Sequence, residues 1–266
     1  MKIIVCVKQV PDTSGKVAVN PDGTLNRASM ATITNPDDLN AVEAALVLKE
    51  QTGAEVVVVC MGPPPAEGML RECLARGCDR AVLVSGREFG GSDTYATSQI
   101  LAAAINKIGV DAEDIVMCGR QAIDGDTAQV GPQIAEKLGL PQISYAAEIK
   151  KDGDTITVQR MLEDGYMTIK MQTPCLITCI KELNEPRYMS VYGIFDCYSK
   201  PYEVLDYNAL KDDPLIDPST IGLMGSPTNI LTSFTPPQKG AGMMLEGADK
   251  ATCDQLAGML AAKHMI

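Results

Sequence analysis

The chain has 266 residues, of which 45% are hydrophobic, and a formal net charge of -11. This length suits one large domain, or one domain with an appended segment. The acidic balance argues against nucleic acid as a partner, because a phosphate backbone requires a basic surface. No apolar run approaches the ~18 residues of a membrane span, and the apolar start at 3–7 is too short for a signal peptide. The sequence therefore predicts a soluble, unprocessed, cytoplasmic protein.

Side chains typical of hydrolytic and metal chemistry are scarce. The one histidine, His264, lies two residues from the end of the sequence, where termini fray and a catalytic Ser–His or Cys–His pair is improbable. The nine cysteines contain no Cys-x-x-Cys pattern, which argues against the usual zinc and iron–sulfur motifs. We expect the cysteines to pack as free thiols in a reducing cell. The sequence predicts neither catalytic residues nor a metal site.

Strand and helix patterns alternate in the first half of the chain. Apolar runs predict buried strands at 2–8, 55–62, 80–85 and 114–119. Capping signals and helical spacing predict helices at 35–50, 65–77, 93–107 and 127–138. This alternation is typical of the α/β class, with a mostly parallel, doubly wound sheet covered on both faces. Ligands of such sheets bind outside the carboxyl ends of the strands, so the loops after Lys8, Gly62, Ser85 and Gly119 are expected to form a site.

The pattern changes in the second half. Short strand-like runs at 142–150, 154–162 and 166–172 are separated by Asp-Gly turns and predict antiparallel strands that extend the sheet, followed by a strand at 174–181. Repeated prolines after Asn184 predict an extended, irregular C-terminal arm. A closing helix at 249–263 places Cys253, Leu256 and Leu260 on one face. Because an amphipathic helix needs a surface to cover, we expect this arm to lie along a partner rather than to be disordered.

The strongest local motif is GRQAIDGDTAQVG, residues 119–131, between a predicted strand and a predicted helix. The free N–H groups and the dipole of a helix start bind anions, and Gln121, Thr127 and Gln129 could hydrogen-bond phosphate or ribose. Asp124 and Asp126 would repel a pyrophosphate, so we expect them to cap the helix or to contact ribose hydroxyls. An ordinary strand–helix loop with an aspartate cap explains the motif equally well.

A second motif, GGSDTYAT at 90–97, stands at another strand-to-helix junction. Ser92, Thr94 and Thr97 lie on the first helical turn, close to its positive end. Asp93 as a plain N-cap is the alternative interpretation.

Weaker signals surround the first two strands. The end of strand one, Cys6 to Gln9, is expected to face the Asn35 to Asp38 segment, and Met61-Gly62-Pro63 turns tightly after the second strand. These segments could contact adenine or ribose, or only cap and turn. No G-x-G-x-x-G follows the first strand and no P-loop motif occurs, which argues against a dehydrogenase-type dinucleotide fold and a P-loop site.

These segments resemble the β subunit of electron-transferring flavoproteins over nearly the whole chain. The matching pieces are VKQVPD, the Asn35-Pro36 pair, MGPPPAEGMLRECLARGCDRAVLVS, GRQAIDGDTAQVGPQIAEKLG, VQRMLEDGYMTIKMQTPCLIT and KELNEPRY. Met167 departs from the family pattern, which usually has Glu or Gln at this position. The resemblance implies a sheet of the adenine nucleotide-binding, hydrolase-like topology.

The resemblance also implies an electron carrier that pairs with a larger α subunit bearing an FAD of its own. In one branch of the family the β subunit holds only a structural AMP. In the electron-bifurcating branch it holds a second FAD, which takes a hydride from NADH and divides the electrons between ferredoxin or flavodoxin and the α-subunit FAD. The GGSDTYAT junction favours the bifurcating branch, since a second phosphate-ready helix end suits FAD, and the many cysteines suit an anaerobic cell.

Together, the motifs and the resemblance predict one cofactor site. Its expected residues are Cys6, Val7, Lys8, Asn35, Pro36, Asp37, Asp38, Met61, Gly62, Ser92, Asp93, Thr94, Thr97, Gly119, Arg120, Gln121, Ala122, Ile123, Asp124, Gly125, Asp126, Thr127, Ala128, Gln129 and Val130. The starts of the helices at Asp93 and Thr127 are expected to hold the diphosphate of the flavin jointly.

The segment PRYMSVYGIF, 186–195, resembles the loop with which this subunit docks on a flavin dehydrogenase of the acyl-CoA or lactate dehydrogenase kind. Tyr188, Val191, Tyr192 and Phe195 are the expected contacts, because aromatic residues are enriched in contact cores.

The predicted organisation is a nucleotide-binding domain at 1–183, the docking loop at 184–200, and an arm at 201–266 whose terminal helix packs on the α subunit. Outside the family, a freestanding nucleotide hydrolase or stress-type ATP binder is the alternative. That alternative predicts a self-contained domain whose tail can be removed freely.

Overall fold

The computed structural model describes residues 1–12, 31–228, 231 and 240–266. The strands in these ranges are β1 (Lys2–Cys6), β2 (Gln9–Pro11), β3 (Thr32–Thr34), β4 (Glu55–Met61), β5 (Arg80–Val84), β6 (Ile115–Gly119), β7 (Gln142–Asp152), β8 (Thr155–Met161), β9 (Tyr166–Gln172), β10 (Cys175–Cys179) and β11 (Tyr202–Leu205). The helices are α1 (Pro36–Thr52), α2 (Glu67–Arg76), α3 (Thr94–Ile108), α4 (Val130–Leu138), α5 (Val191–Asp196), α6 (Tyr207–Leu210), α7 (Gly222–Gly225) and α8 (Lys250–Ala262). None of these helices combines the length and apolar character that crossing a membrane requires.

Nine strands form one sheet in the order β11-β5-β4-β1-β6-β10-β7-β8-β9. The pairs from β11 to β7 are parallel, and β7, β8 and β9 continue the sheet as antiparallel strands. β2 and β3 form a separate antiparallel pair. The chain moves from β1 to β4 and β5 on one side, then crosses to β6 on the other side. The predicted doubly wound α/β fold with an antiparallel extension is confirmed.

Two apolar layers cover the central strands, because neighbouring side chains of a strand point to opposite faces. Ile3 and Val5 of β1 join a core with residues of α1 and α2. Ile4 and Cys6 join a second core with residues of α3 and α4. Both faces are buried, so the central strands read as continuous Val- and Ile-rich runs. On the second face α3 and α4 are neighbours, and their N-terminal ends meet at the carboxyl edge of the sheet.

Helix α4 begins at Val130, three residues after the predicted start at Thr127. Asp126 and Ala128 have φ angles of 50° and 52°, which belong to the left-handed region. Such residues cannot continue a right-handed helix. The segment before Val130 is therefore a shaped loop and not the first turn of α4.

The irregular arm expected from residue 201 begins later in the structure. β11 pairs in parallel with β5 at the edge of the sheet, and Leu205, Leu210, Ile216 and Ile221 are buried in the core beneath α3 and α4. Two compact units divide the described residues: 1–12, 31–228 and 231 form the first, and 240–266 form the second. β11 and α6 bury one apolar side chain each, Leu205 and Leu210, which a pattern search for long elements does not detect.

The second unit contains α8, which Asp249 caps by accepting a hydrogen bond from the Thr252 amide. No residue of α8 is buried, and Leu256 of the expected apolar face is 48% exposed. Packing of this helix on an α subunit stays a prediction.

Candidate functional site

A cavity of about 930 Å³ lies at the carboxyl edge of the sheet, where β5, β4, β1 and β6 end. Small-molecule sites usually measure roughly 300–1,000 Å³, and doubly wound sheets bind ligands at this edge. The predicted residues that line the cavity are Cys6, Val7, Lys8, Asp38, Met61, Gly62, Ser92, Asp93, Thr94, Thr97, Gly119, Arg120, Gln121, Ala122, Gly125, Thr127, Ala128, Gln129 and Val130. The structure thus brings segments from four separate loops to one place.

Six predicted residues do not line the cavity: Asn35, Pro36, Asp37, Ile123, Asp124 and Asp126. The buried Asn35 side chain holds the loop of residues 119–131 in place. Its Nδ2 donates to the Gln121 carbonyl oxygen at 2.8 Å, and its Oδ1 accepts from the Ile123 amide at 3.1 Å. Asn35 therefore acts on the cavity through the loop that it fixes.

Asp38 joins the ends of β1 and β6 beneath the cavity. Its carboxylate accepts hydrogen bonds from the Lys8 amide at 2.8 Å and the Gly119 amide at 2.9 Å. Burial raises the pKa of Asp38 to about 7, although both amide donors favour the ionised form. A Cβ atom on Gly119 would lie 2.5 Å from Asp38 Oδ1. Glycine is therefore required where β6 ends.

Asp124 and Asp126 were predicted to cap α4 or to contact ribose, and neither of them caps α4. Asp124 forms an ion pair with Lys8 Nζ at 2.7 Å, and Asp126 accepts from Gln121 Nε2 at 2.8 Å. The N-cap residue of α4 is Gln129, whose side chain makes no cap hydrogen bond. Both carboxylates are thus engaged by the side chains of Lys8 and Gln121, and ribose contact stays a prediction.

Residues Thr127 to Gly131 line the cavity, and their five consecutive backbone N–H groups are here called the amide cradle. Within the described part of the chain, none of the five donates to a protein acceptor. Ala128 is left-handed while Gln129, with φ -106° and ψ -34°, is right-handed. Successive N–H groups in such a turn form a concave anion site, and the positive end of α4 adds to it. The amide cradle is therefore suited to a phosphate or diphosphate.

The start of α3 differs from this arrangement. Asp93 Oδ1 accepts from the Ala96 amide at 3.0 Å, and its Oδ2 accepts from the Thr228 amide at 2.9 Å. Burial would raise the pKa of Asp93, but these hydrogen bonds hold it below the usual value. A carboxylate thus occupies this helix start, so the N-cap interpretation is the one observed. The Asp93 carboxylate takes up the Ala96 amide of this helix start, and joint binding of one diphosphate by both helix starts stays a prediction.

Two polar side chains still link α3 to the cavity. Thr94 and Thr97 line it, and Thr94 Oγ1 donates to Gln129 Oε1 at 2.9 Å across the two helix starts. Ser92 is used differently: its Oγ donates to the Phe89 carbonyl oxygen and accepts from the Gly222 amide. Thr94 is therefore the α3 side chain that best fits the predicted role of a ligand-contacting residue.

The predicted set missed part of the cavity wall. The additional lining residues are Pro63, Pro64, Val84, Ser85, Gly86, Arg87, Phe89, Gly90, Gly91, Leu101, Cys118 and Gly131. Most follow β4 or β5, so the rule that ligands bind at carboxyl strand ends could have found them. Arg87 stands out, since it makes no ion pair within the described ranges, whereas Lys8 and Arg120 each pair with an aspartate.

The predicted docking segment forms a short helix and not an open loop. Ser190 caps α5 by accepting from the Gly193 amide. Tyr188 is 95% exposed and Phe195 is 79% exposed, and Val191 and Tyr192 are exposed beside them. Arg187 fixes the segment to α1, pairing with Glu43 at 2.8 Å and Glu50 at 2.6 Å. The structure thus presents four apolar side chains on a firmly attached surface, which is typical of an interaction site.

Comparison with known proteins agrees with these observations. Residues 22–204 match the family described as Electron transfer flavoprotein domain. The chain is 67% identical, over all of both chains, to the acryloyl-CoA reductase electron transfer subunit gamma of Anaerotignum propionicum. It is 51% identical to the caffeyl-CoA reductase-Etf complex subunit CarD of Acetobacterium woodii, over 99% of this chain and 97% of that protein. It is also 49% identical, over all of both chains, to the electron transfer flavoprotein subunit beta of Clostridium acetobutylicum.

Proposed function

Because the chain belongs to the electron transfer flavoprotein family, as a β-type subunit, we propose that its cavity binds FAD for electron bifurcation. When bound, FAD supplies hydride acceptance from NADH and the division of electrons between ferredoxin or flavodoxin and the FAD of a larger α subunit. The chain's own residues bind and orient this cofactor. The observation that carries the proposal is the amide cradle, because its N–H groups have no other acceptor in the described chain.

The fit of the cavity to FAD rests on its size and on its donors. The cavity of about 930 Å³ extends from the end of β5 to the amide cradle after β6. Thr94, Thr97 and Gln129 add neutral donors without adding negative charge, while Asp124 and Asp126 are held by Lys8 and Gln121. A diphosphate in the cradle would therefore meet N–H groups, and the Lys8 ammonium would offset the charge of Asp124.

A structural AMP is the second candidate, and Asp93 is the observation that favours it. Since Asp93 occupies the start of α3, the cavity offers one open set of amides, which a single phosphate could fill. Extraction of cofactors from the complex that co-purifies with the larger subunit separates the candidates. We expect two FAD and no AMP per heterodimer. One FAD with one AMP would contradict electron bifurcation in this chain and would support the structural role.

The partner of the complex is proposed from the relatives and from the exposed surface. Two of the three relatives reported above are named as subunits of acryloyl-CoA and caffeyl-CoA reductases, so we propose an acyl-CoA dehydrogenase-like enzyme rather than a lactate dehydrogenase-like one. Tyr188, Val191, Tyr192 and Phe195 would form the contact. Replacing Tyr192 and Phe195 by alanine should weaken binding of that enzyme at least tenfold, measured by titration calorimetry. Tyr166→Ala, an exposed aromatic of β9, is the matched control and should have no effect.

We also propose that the second unit binds the larger α subunit. A helix with no buried residue, as α8 is, does not stabilise itself by its own packing. Removing 240–266 should abolish co-purification with the α subunit and leave the first unit folded, as circular dichroism would report. Removing only 264–266, which follow α8, should preserve it. Retained pairing after the longer deletion would refute this role, and would return the freestanding nucleotide binder as an alternative.

A further inference from the structure

Arg87 is the lining cation of the cavity without a carboxylate partner in the described ranges. Lys8 pairs with Asp124 at 2.7 Å and Arg120 with Asp37 at 3.3 Å. Arg87 begins a single 3₁₀ turn after β5 and is exposed. Its neighbour Glu88 does not line this cavity. The wall after β5 therefore carries a positive charge that is not paired with a carboxylate among the described residues.

The position of Arg87 separates it from the amide cradle. Arg87 follows β5 and the cradle follows β6, with β4 and β1 between them in the sheet. Three strand spacings of ~4.8 Å place these two strand ends roughly 14 Å apart. A diphosphate in the amide cradle would therefore leave Arg87 to another part of the same ligand.

The chemistry of FAD identifies that part. Adenine is uncharged near neutral pH, and the phosphates have the amide cradle. The flavin ring, in contrast, gains negative charge when it is reduced, and charge placed near it tunes its electronics. We propose that Arg87 contacts the flavin ring and favours its reduced, negatively charged form. This proposal rests on the function proposed above, since a chain that holds AMP has no flavin at this site.

The test measures binding and potential in the complex with the α subunit. In Arg87→Gln, FAD affinity should fall about tenfold while AMP affinity stays unchanged, since a charge-assisted contact is lost only for the flavin-bearing ligand. The two-electron midpoint potential of the flavin held by this chain should fall by about 30 mV, which corresponds to a tenfold change in the equilibrium constant. Arg87→Lys should recover most of the potential. Arg80→Gln, which removes a cation paired with Glu203 at the opposite end of β5, is the matched control and should change neither quantity.

The possible results separate this proposal from the broader one. If the unmodified complex contains AMP and one FAD, the proposed function fails before Arg87 is tested. If it contains two FAD, an unchanged potential in Arg87→Gln overturns the role of Arg87 and leaves the proposed function intact. Equal loss of AMP and FAD affinity also overturns it, because the contact would then lie on the shared nucleotide or the fold would be damaged. Selective loss of FAD with AMP still bound supports it.

Discussion

The loop after β6 and the loop after β5 occupy equivalent positions, yet they offer opposite chemistry to a ligand. After β6, the loop contains two left-handed residues, and five amides of cavity-lining residues have no acceptor among the described residues. The carboxylates of Asp124 and Asp126 are held by Lys8 and Gln121. After β5, the Asp93 carboxylate caps the helix start, and the cation Arg87 lines the cavity and makes no ion pair with any residue that the structure describes. A strand–loop–helix position does not by itself make an anion site. The side chain at the helix start matters as well as the backbone before it: Asp93 caps α3, whereas α4 follows a left-handed turn and has no side-chain cap.

The largest effect should follow from breaking the loop after β6 at its first residue. In Gly119→Ala the new Cβ would lie 2.5 Å from Asp38 Oδ1 and 2.6 Å from the Asp37 carbonyl carbon. We expect a loss of about 3 kcal/mol in the free energy of unfolding, at the upper end for overpacking, together with loss of bound nucleotide. Denaturant unfolding and cofactor content measure these. Gly125→Ala, with nothing within 4 Å of its Cβ, should behave like the parent; equal damage in both would contradict the steric account.

The next effect concerns Asp38, which supports the same loop. Its pKa is raised to about 7 by burial, against ~3.9 in an unfolded chain. Between these values the folded state binds more protons than the unfolded state, so this group's contribution to stability falls as pH rises from about 4 to 7 and is level above. The difference in unfolding free energy between the parent and Asp38→Asn, measured from pH 4 to 8, should decline over that window. A difference that grows with pH would show that Asp38 is instead stabilised in its ionised form.

A smaller effect should follow from replacing Asp93, whose carboxylate distinguishes the loop after β5 from the loop after β6. Asp93→Ala removes an N-cap and should cost ~1 kcal/mol of stability. Asp93→Asn keeps a capping oxygen but removes the charge, so it should leave stability nearly unchanged. If the loop after β5 opposes anions through this carboxylate, FAD or AMP should bind Asp93→Asn more tightly, by roughly two- to fivefold for a screened charge. Weaker binding in Asp93→Asn would mean that the carboxylate itself contacts the ligand.

The smallest effect is expected at Ala128. Its left-handed φ of 52° costs an L-residue roughly 1–2 kcal/mol, and glycine adopts that conformation freely. Ala128→Gly should therefore keep nucleotide affinity and change stability by less than ~1 kcal/mol, because glycine also costs more entropy on folding. Ala128→Val should lower nucleotide affinity, since a β-branched residue resists this conformation. Equal affinity in both variants would show that the amide cradle does not depend on the turn.

The sequence predicted the sheet and many of the residues that line the cavity, because those depend on local patterns. Apolar runs located β1, β4, β5 and β6, and the rule of carboxyl strand ends located the cavity. The conformation of Asp126 and Ala128 could not be read from residue types, since neither is glycine. The cap at Asp93 was foreseen as an alternative, but its second acceptor contact, with Thr228, joins residues 135 apart. β11 was missed because its one buried residue, Leu205, gives no periodic signal.

Because Arg187 pairs with Glu43 and Glu50, α1 sets the distance between the cavity and the exposed surface of Tyr188, Val191, Tyr192 and Phe195. The helix starts at Pro36, beside Asp38 at the cavity, and the two glutamates lie roughly 10 and 21 Å along its axis. A protein bound at Tyr188 and Phe195 would thus lie at a distance from the cavity that is fixed by the length of α1. Inserting one residue before Glu43 would turn that anchor by about 100°. Binding of a partner at this surface therefore constrains the length of α1 as well as the exposed side chains.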